Sequence, residues 1–103
     1  MEYRIDFATL PWERPMEGVR AKVMRQGNRR IRLVEYTPAM EPHWCERGHY
    51  GCIVEGEFEI RFADRTQVFR AGDGVFIPSG SAHRHLARAM TASVRAVLVE
   101  DVS

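Results

Sequence analysis

Short runs in which apolar and polar residues alternate recur along the chain, and they constrain its fold more than any other feature. They fall at residues 3–7, 19–24, 30–36, 57–62, 67–70 and 93–99. A period of two sends successive side chains to opposite faces of an extended backbone, so each run reads as a half-buried β-strand. The prolines at 11, 15, 38, 42 and 78 and the glycines at 27, 48, 56, 72, 74 and 80 fall between the runs, where they supply turns. No stretch of 11 or more residues keeps apolar side chains at i, i+3, i+4 and i+7, so any helix is short. Many short strands with evenly spaced turns predict an all-β sandwich or barrel.

The chain has 103 residues, 45% of them hydrophobic and 28% charged. That is the composition of an ordinary globular domain, and a chain this long buries roughly two-thirds of its unfolded surface around one core. A single domain over residues 1–103 is expected. Fifteen basic against fourteen acidic side chains leave a formal charge of +1, which excludes a dedicated nucleic-acid binder. The apolar runs stop short of the ~18 residues needed to span a bilayer, so no membrane partner is expected. Glu2, Arg4 and Asp6 leave no room for an apolar signal region at the N-terminus. A cytoplasmic protein follows as the expectation, and two cysteines, Cys45 and Cys52, do not make a disulfide framework.

Charge is uneven along the chain. Residues 18–34 hold Arg20, Lys22, Arg25, Arg29, Arg30 and Arg32 with no acid, whereas 35–64 hold seven acids and two arginines. The pattern reads as a hairpin turning at Gln26-Gly27-Asn28, its arginines alternating outward to solvent or to Glu55, Glu57 and Glu59. Aromatic residues are not interleaved with the basic ones, as a single-strand nucleic-acid surface requires.

The four histidines form two groups. The first reads His43-Trp44-Cys45-Glu46-Arg47-Gly48-His49. On an extended segment His43 and Cys45 share a face while Trp44 takes the other, and His49 keeps the parity or regains it after a turn at Gly48. The second runs from Gly72 through Pro78 and Gly80 to His83 and His85. A turn at 78–80 delivers His83 at the head of a new strand with His85 on the same face. Cys52 has the opposite parity to Cys45 and sits in an apolar run, which reads as packing.

These spacings resemble the two motifs of the cupin superfamily. His43, one residue, Cys45, three residues, His49, six residues and Gly56 reproduce the frame of the first motif. Cys45 stands where the family has its second His, His49 where it has Glu, and Thr37 where it has an opening Gly. Gly72, Pro78, Gly80 and His83 match the second motif, with Ala87 in place of its Asn. The resemblance implies an all-β, double-stranded β-helix, a jelly-roll-like barrel in a single domain with its motif core at 43–85. It also implies a homodimer paired through barrel edges.

As a cupin, the chain is expected to gather His43, Cys45, His49 and His83 around a divalent transition metal (Zn, Fe, Ni, Mn or Cu) at one end of the barrel. Imidazole and thiolate donors turn the preference away from Mg and Ca. If Cys45 binds as thiolate, the four ligands suit a closed zinc site. If it stays protonated, three histidines remain, as in the thiol dioxygenases of the superfamily. His85 is a substitute fourth ligand or a pocket acid/base. The resemblance thus implies a metal-binding protein for a small-molecule ligand or substrate. The leading expectation is an enzyme of dioxygenase or isomerase type. The alternatives are a ligand or redox sensor with a closed zinc-like site and a metal-free sugar isomerase or epimerase.

Overall fold

The structure, a computed structural model, describes residues 2–101. Ten strands follow one another: β1 (Glu13–Met16), β2 (Val19–Gln26), β3 (Arg29–Tyr36), β4 (Trp44–Cys45), β5 (His49–Glu55), β6 (Glu57–Arg61), β7 (Thr66–Arg70), β8 (Gly74–Ile77), β9 (His85–Ala89) and β10 (Val94–Asp101). Short 3-10 turns occupy Phe7–Thr9 and Ser81–His83. Every strand pairing is antiparallel, and the strands form a six-stranded sheet, β1-β2-β3-β10-β5-β8, and a four-stranded sheet, β4-β9-β6-β7. The fold is all-β, as the alternating runs predict. No helix among the described residues is long and apolar enough to cross a membrane.

The core lies between the sheets, and alternation along each strand fills it. On β10 the residues Val94, Ala96, Leu98 and Glu100 are all buried while their neighbours are only partly so. On β3 the matching face carries Arg30, Arg32, Val34 and Tyr36, and Tyr36 stacks on Phe58 of β6 at 4.6 Å between ring centroids. Ile53, Phe58, Ile60, Val75 and Ile77 complete the apolar wall. The β5–β6 turn pivots on Gly56, whose φ of +85° suits glycine and whose missing Cβ leaves room for the Ser93 carbonyl.

Two expectations are corrected here. Residues 3–7 alternate but form no strand; Asp6 instead accepts the Ala8 amide at the start of the first 3-10 turn. Among the described residues no partner strand reaches this segment, and without one the alternation has no ladder to join. The β2–β3 hairpin does turn after Gln26, but its arginines do not pair with Glu57 or Glu59, which bind Arg70 and Arg88. Arg20 pairs with Glu35, Arg25 with Glu13 and Arg29 with Asp101, while Arg30 and Arg32 point inward to Glu100. The inward pair shares the parity of Val34 and Tyr36, a placement that overall charge composition does not reveal.

Candidate metal centre

Cys45 belongs to the two-residue strand β4, where it pairs directly with His85 at the head of β9. The segment after it is pinned to the following turn: Gly80 donates its amide to the Glu46 carbonyl at 2.9 Å, and Gly48 donates to Ser79 Oγ at 2.8 Å. His49 opens β5. In the β5–β10 register Tyr50 lies opposite Val99, so the next step brings His49 beside Glu100. The donor atoms of Cys45, His49 and His85 lie within 4.8 Å of one another, and the two imidazoles meet edge-on with centroids 5.1 Å apart.

Hydrogen bonds orient both rings. His49 Nδ1 donates to Glu100 Oε2, and His85 Nδ1 donates to the His83 carbonyl at 3.0 Å. Each ring therefore has Nε2 left for a ligand. His85 is buried, and its Nε2 has no hydrogen-bond partner. A buried nitrogen left unpaired costs about 1–3 kcal/mol, and among the described residues only Arg32 Nε shares that condition. Cys45 is a free thiol, as is Cys52. Its pKa is held down to about 5, first by the His49 imidazole and then by that of His85, against the opposing effect of burial. The thiolate, the form that binds metals, is thus favoured at neutral pH.

Behind His49 stands Glu100, fully buried on β10. Burial opposes its ionisation, but His49 and Arg32 outweigh that and hold its pKa at about 2. Arg30 Nε donates to Oε1 at 2.7 Å and Arg32 Nη2 to Oε2 at 2.8 Å. Burial alone would lower His49, yet the Cys45 sulfur and the Glu100 carboxylate raise it. This carboxylate–imidazole–donor arrangement is the one that orients metal-binding histidines in general. The alternation of the last strand carries the signal for Glu100, because its parity continues that of Val94, Ala96 and Leu98.

Of the four residues nominated by motif spacing, the structure brings Cys45 and His49 together and adds His85. His43 is exposed before β4, where Nδ1 donates to the Glu41 carbonyl at 3.2 Å, although its side chain still lines the cavity. His83 ends the 3-10 turn and is exposed; its carbonyl, not its ring, serves the cluster by holding His85. The expectation that His83 heads the new strand is displaced by two residues, since the turn at 78–80 runs on through Ser81–His83.

The cluster lies in a cavity of about 510 Å³ between the two sheets. Its apolar wall includes Ile53, Phe58, Ile60, Val75 and Leu98, and its polar lining includes Tyr36, Arg30, Arg32 and Glu100. Thiolate and imidazole donors suit transition metals, and the unpaired His85 Nε2 gives such an ion a vacant protein donor. The residues present therefore fit the metal that the motif resemblance implies.

The profile of a family described as a cupin domain matches residues 32–100. A comparison with curated proteins finds no match. Among solved structures, KdgF from a Halomonas species is similar at a TM-score of 0.76 and 18% identity, covering 100% of this chain and 96% of that one. An RmlC-like cupin from Shewanella frigidimarina gives 0.76 and 16%, covering 100% and 93%. The polyketide cyclase RemF from Streptomyces resistomycificus gives 0.76 and 20%, covering 100% and 81%. At these identities the likeness is one of fold.

Proposed function

The chain belongs to the cupin family, and from that premise we propose that it is a transition-metal-dependent enzyme of dioxygenase or isomerase type acting on a small molecule. Cys45, His49 and His85 are the ligands in this reading. The observation that carries it is the buried, unpartnered Nε2 of His85 in a cluster where the donor atoms of Cys45, His49 and His85 lie within 4.8 Å of one another. Three protein donors leave coordination positions open to the cavity, the pattern of catalytic rather than closed structural sites. That favours an enzyme over the sensor with a closed zinc-like shell.

When bound, the ion supplies Lewis-acid polarisation of a substrate oxygen and, if redox-active, one-electron chemistry. The chain's own residues do the rest. Glu100 keeps His49 in the Nδ1–H form, His49 and Arg32 keep Glu100 ionised, and Arg30 donates to its other oxygen. The His83 carbonyl fixes the same tautomer in His85. Ile53, Phe58 and Val75 keep bulk water from the inner end of the cavity.

Elemental analysis of protein purified without chelator or tag metal tests the reading. Near-stoichiometric metal is expected in the native chain and in a His43→Ala, His83→Ala double variant, and loss is expected in His85→Ala. Metal lost in the double variant but kept in His85→Ala would overturn the ligand set in favour of His43 and His83. A metal-free isomerase or epimerase is the second reading, supported by the His49–Glu100 pair, which can act as a base dyad without an ion. Metal-free protein in every sample would select it. A homodimer through unpaired edge strands is part of the proposal, and a monomeric mass in light scattering at micromolar concentration would overturn it.

A further inference from the structure

Beside the large cavity, a smaller one of about 240 Å³ opens between β1, β2 and β3. The two share Pro15, Arg30 and Arg32 as common wall, so they are neighbouring compartments on one face of the six-stranded sheet. The smaller compartment is lined by Arg14, Arg25, Arg30 and Arg32, and Glu13 is its one acidic lining residue.

Four arginines line the compartment and two carboxylates pair with them, Glu13 with Arg25 and, from the larger cavity, Glu100 with Arg30 and Arg32, which leaves a formal charge of +2. Arg14 has no carboxylate partner among the described residues. Arg30 gives only Nε to Glu100 and Arg32 only Nη2, so among the described residues both Nη groups of Arg30 are not engaged by a carboxylate. Arg32 Nε is buried and unpaired as well. Guanidiniums are weakly hydrated, always charged and shaped to bind oxyanions, and gathering more of them than there are acids to pair them is unfavourable unless an anion completes the group.

We propose that this compartment is a phosphate-binding subsite, and that the substrate is a small phosphorylated molecule whose phosphate sits among Arg14, Arg25, Arg30 and Arg32 while its reacting end enters the Cys45–His49–His85 cavity. A phosphate ester carries about −1.5 to −2 charges at neutral pH and three acceptor oxygens, which matches both the excess charge and the unused donors. A carboxylate has one charge and leaves the excess half balanced. Assigning the subsite to a substrate rests on the reading of the neighbouring cavity as a catalytic centre; the anion site itself does not.

Calorimetric titration with inorganic phosphate, with acetate as the monoanion control, tests the proposal on the protein as purified. Saturable binding of one phosphate is expected, with acetate at least about tenfold weaker. Arg14→Glu, which reverses the one unpartnered charge, should weaken phosphate about tenfold or more, and Arg25→Gln should weaken it several-fold. His85→Ala should leave phosphate affinity unchanged. No saturable binding, equal affinity for acetate, or affinity unchanged in both arginine variants would overturn the subsite. Phosphate binding lost in His85→Ala would overturn it too, by assigning the anion to the metal centre. Phosphate binding in a protein that holds no metal would leave the subsite standing and sink only the metal reading.

Discussion

Cys45 and His85 stand directly opposite each other on the β4–β9 ladder. Side chains so paired start about 4.5–5.5 Å apart at Cβ, close enough to share a ligand or a proton. The ladder therefore sets thiol and imidazole side by side.

His49, and after it the paired His85, make Cys45 an unusual thiol. In chelator-treated protein, alkylation of Cys45 by iodoacetamide should rise with pH around a midpoint near 5, because His49 first and His85 second favour the thiolate. An unperturbed thiol titrates near 8.5. Mass spectrometry of the alkylated peptide measures the profile, and a midpoint above pH 8 would remove the imidazole–thiolate contact from the account.

Glu100 supports the site from behind. Glu100→Gln keeps the shape but leaves Arg30 and Arg32 without their buried counter-charge. Removing one partner of a buried ionic group typically costs about 3–5 kcal/mol. Urea unfolding should show that loss, and metal affinity should fall about 10–100-fold as His49 loses its orienting acceptor. Native metal affinity in a folded variant would show that Glu100 does not position His49.

The outer face of the same sheet sets an acid limit on stability. Arg20 first, then burial in opposition and Arg95 in support, leave the Glu35 carboxyl below its usual range. A carboxyl depressed on folding stabilises the native state above its unfolded pKa, near 4.3 for Glu, and that contribution is lost as pH falls through the lower folded value. Glu35→Gln should therefore be less stable than the native chain at pH 7, with the gap closing as the pH falls below about 4. A gap independent of pH in denaturant titrations would contradict the ion-pair origin.

Close backbone approach, in contrast, is a matter of space. A Cβ at Gly51 would lie 1.8 Å from the Val97 carbonyl oxygen, whereas at Gly74 the nearest atom is the Gly51 oxygen at 3.8 Å. Gly51→Ala should cost at least about 1–3 kcal/mol by forcing β5 from β10, and Gly74→Ala should cost far less. Equal melting temperatures for the two variants would refute the close approach.

Much of this was legible in the sequence. The runs at 19–24, 30–36, 57–62, 67–70 and 93–99 correspond to strands β2, β3, β6, β7 and β10. The motif frame also located Cys45 and His49. A strand's alternation is a local property, encoded by which of its residues are apolar, and so are the turns that glycine and proline permit. Tertiary structure decided what lies across from each strand. It put His85 in the cluster and left His83 on the turn, brought Glu100 to His49, and turned Arg30 and Arg32 inward. It also left residues 3–7 without a ladder. The reason is physical: alternation divides a strand into two faces, but only register against strands far away in sequence decides which face is interior and which donors meet there.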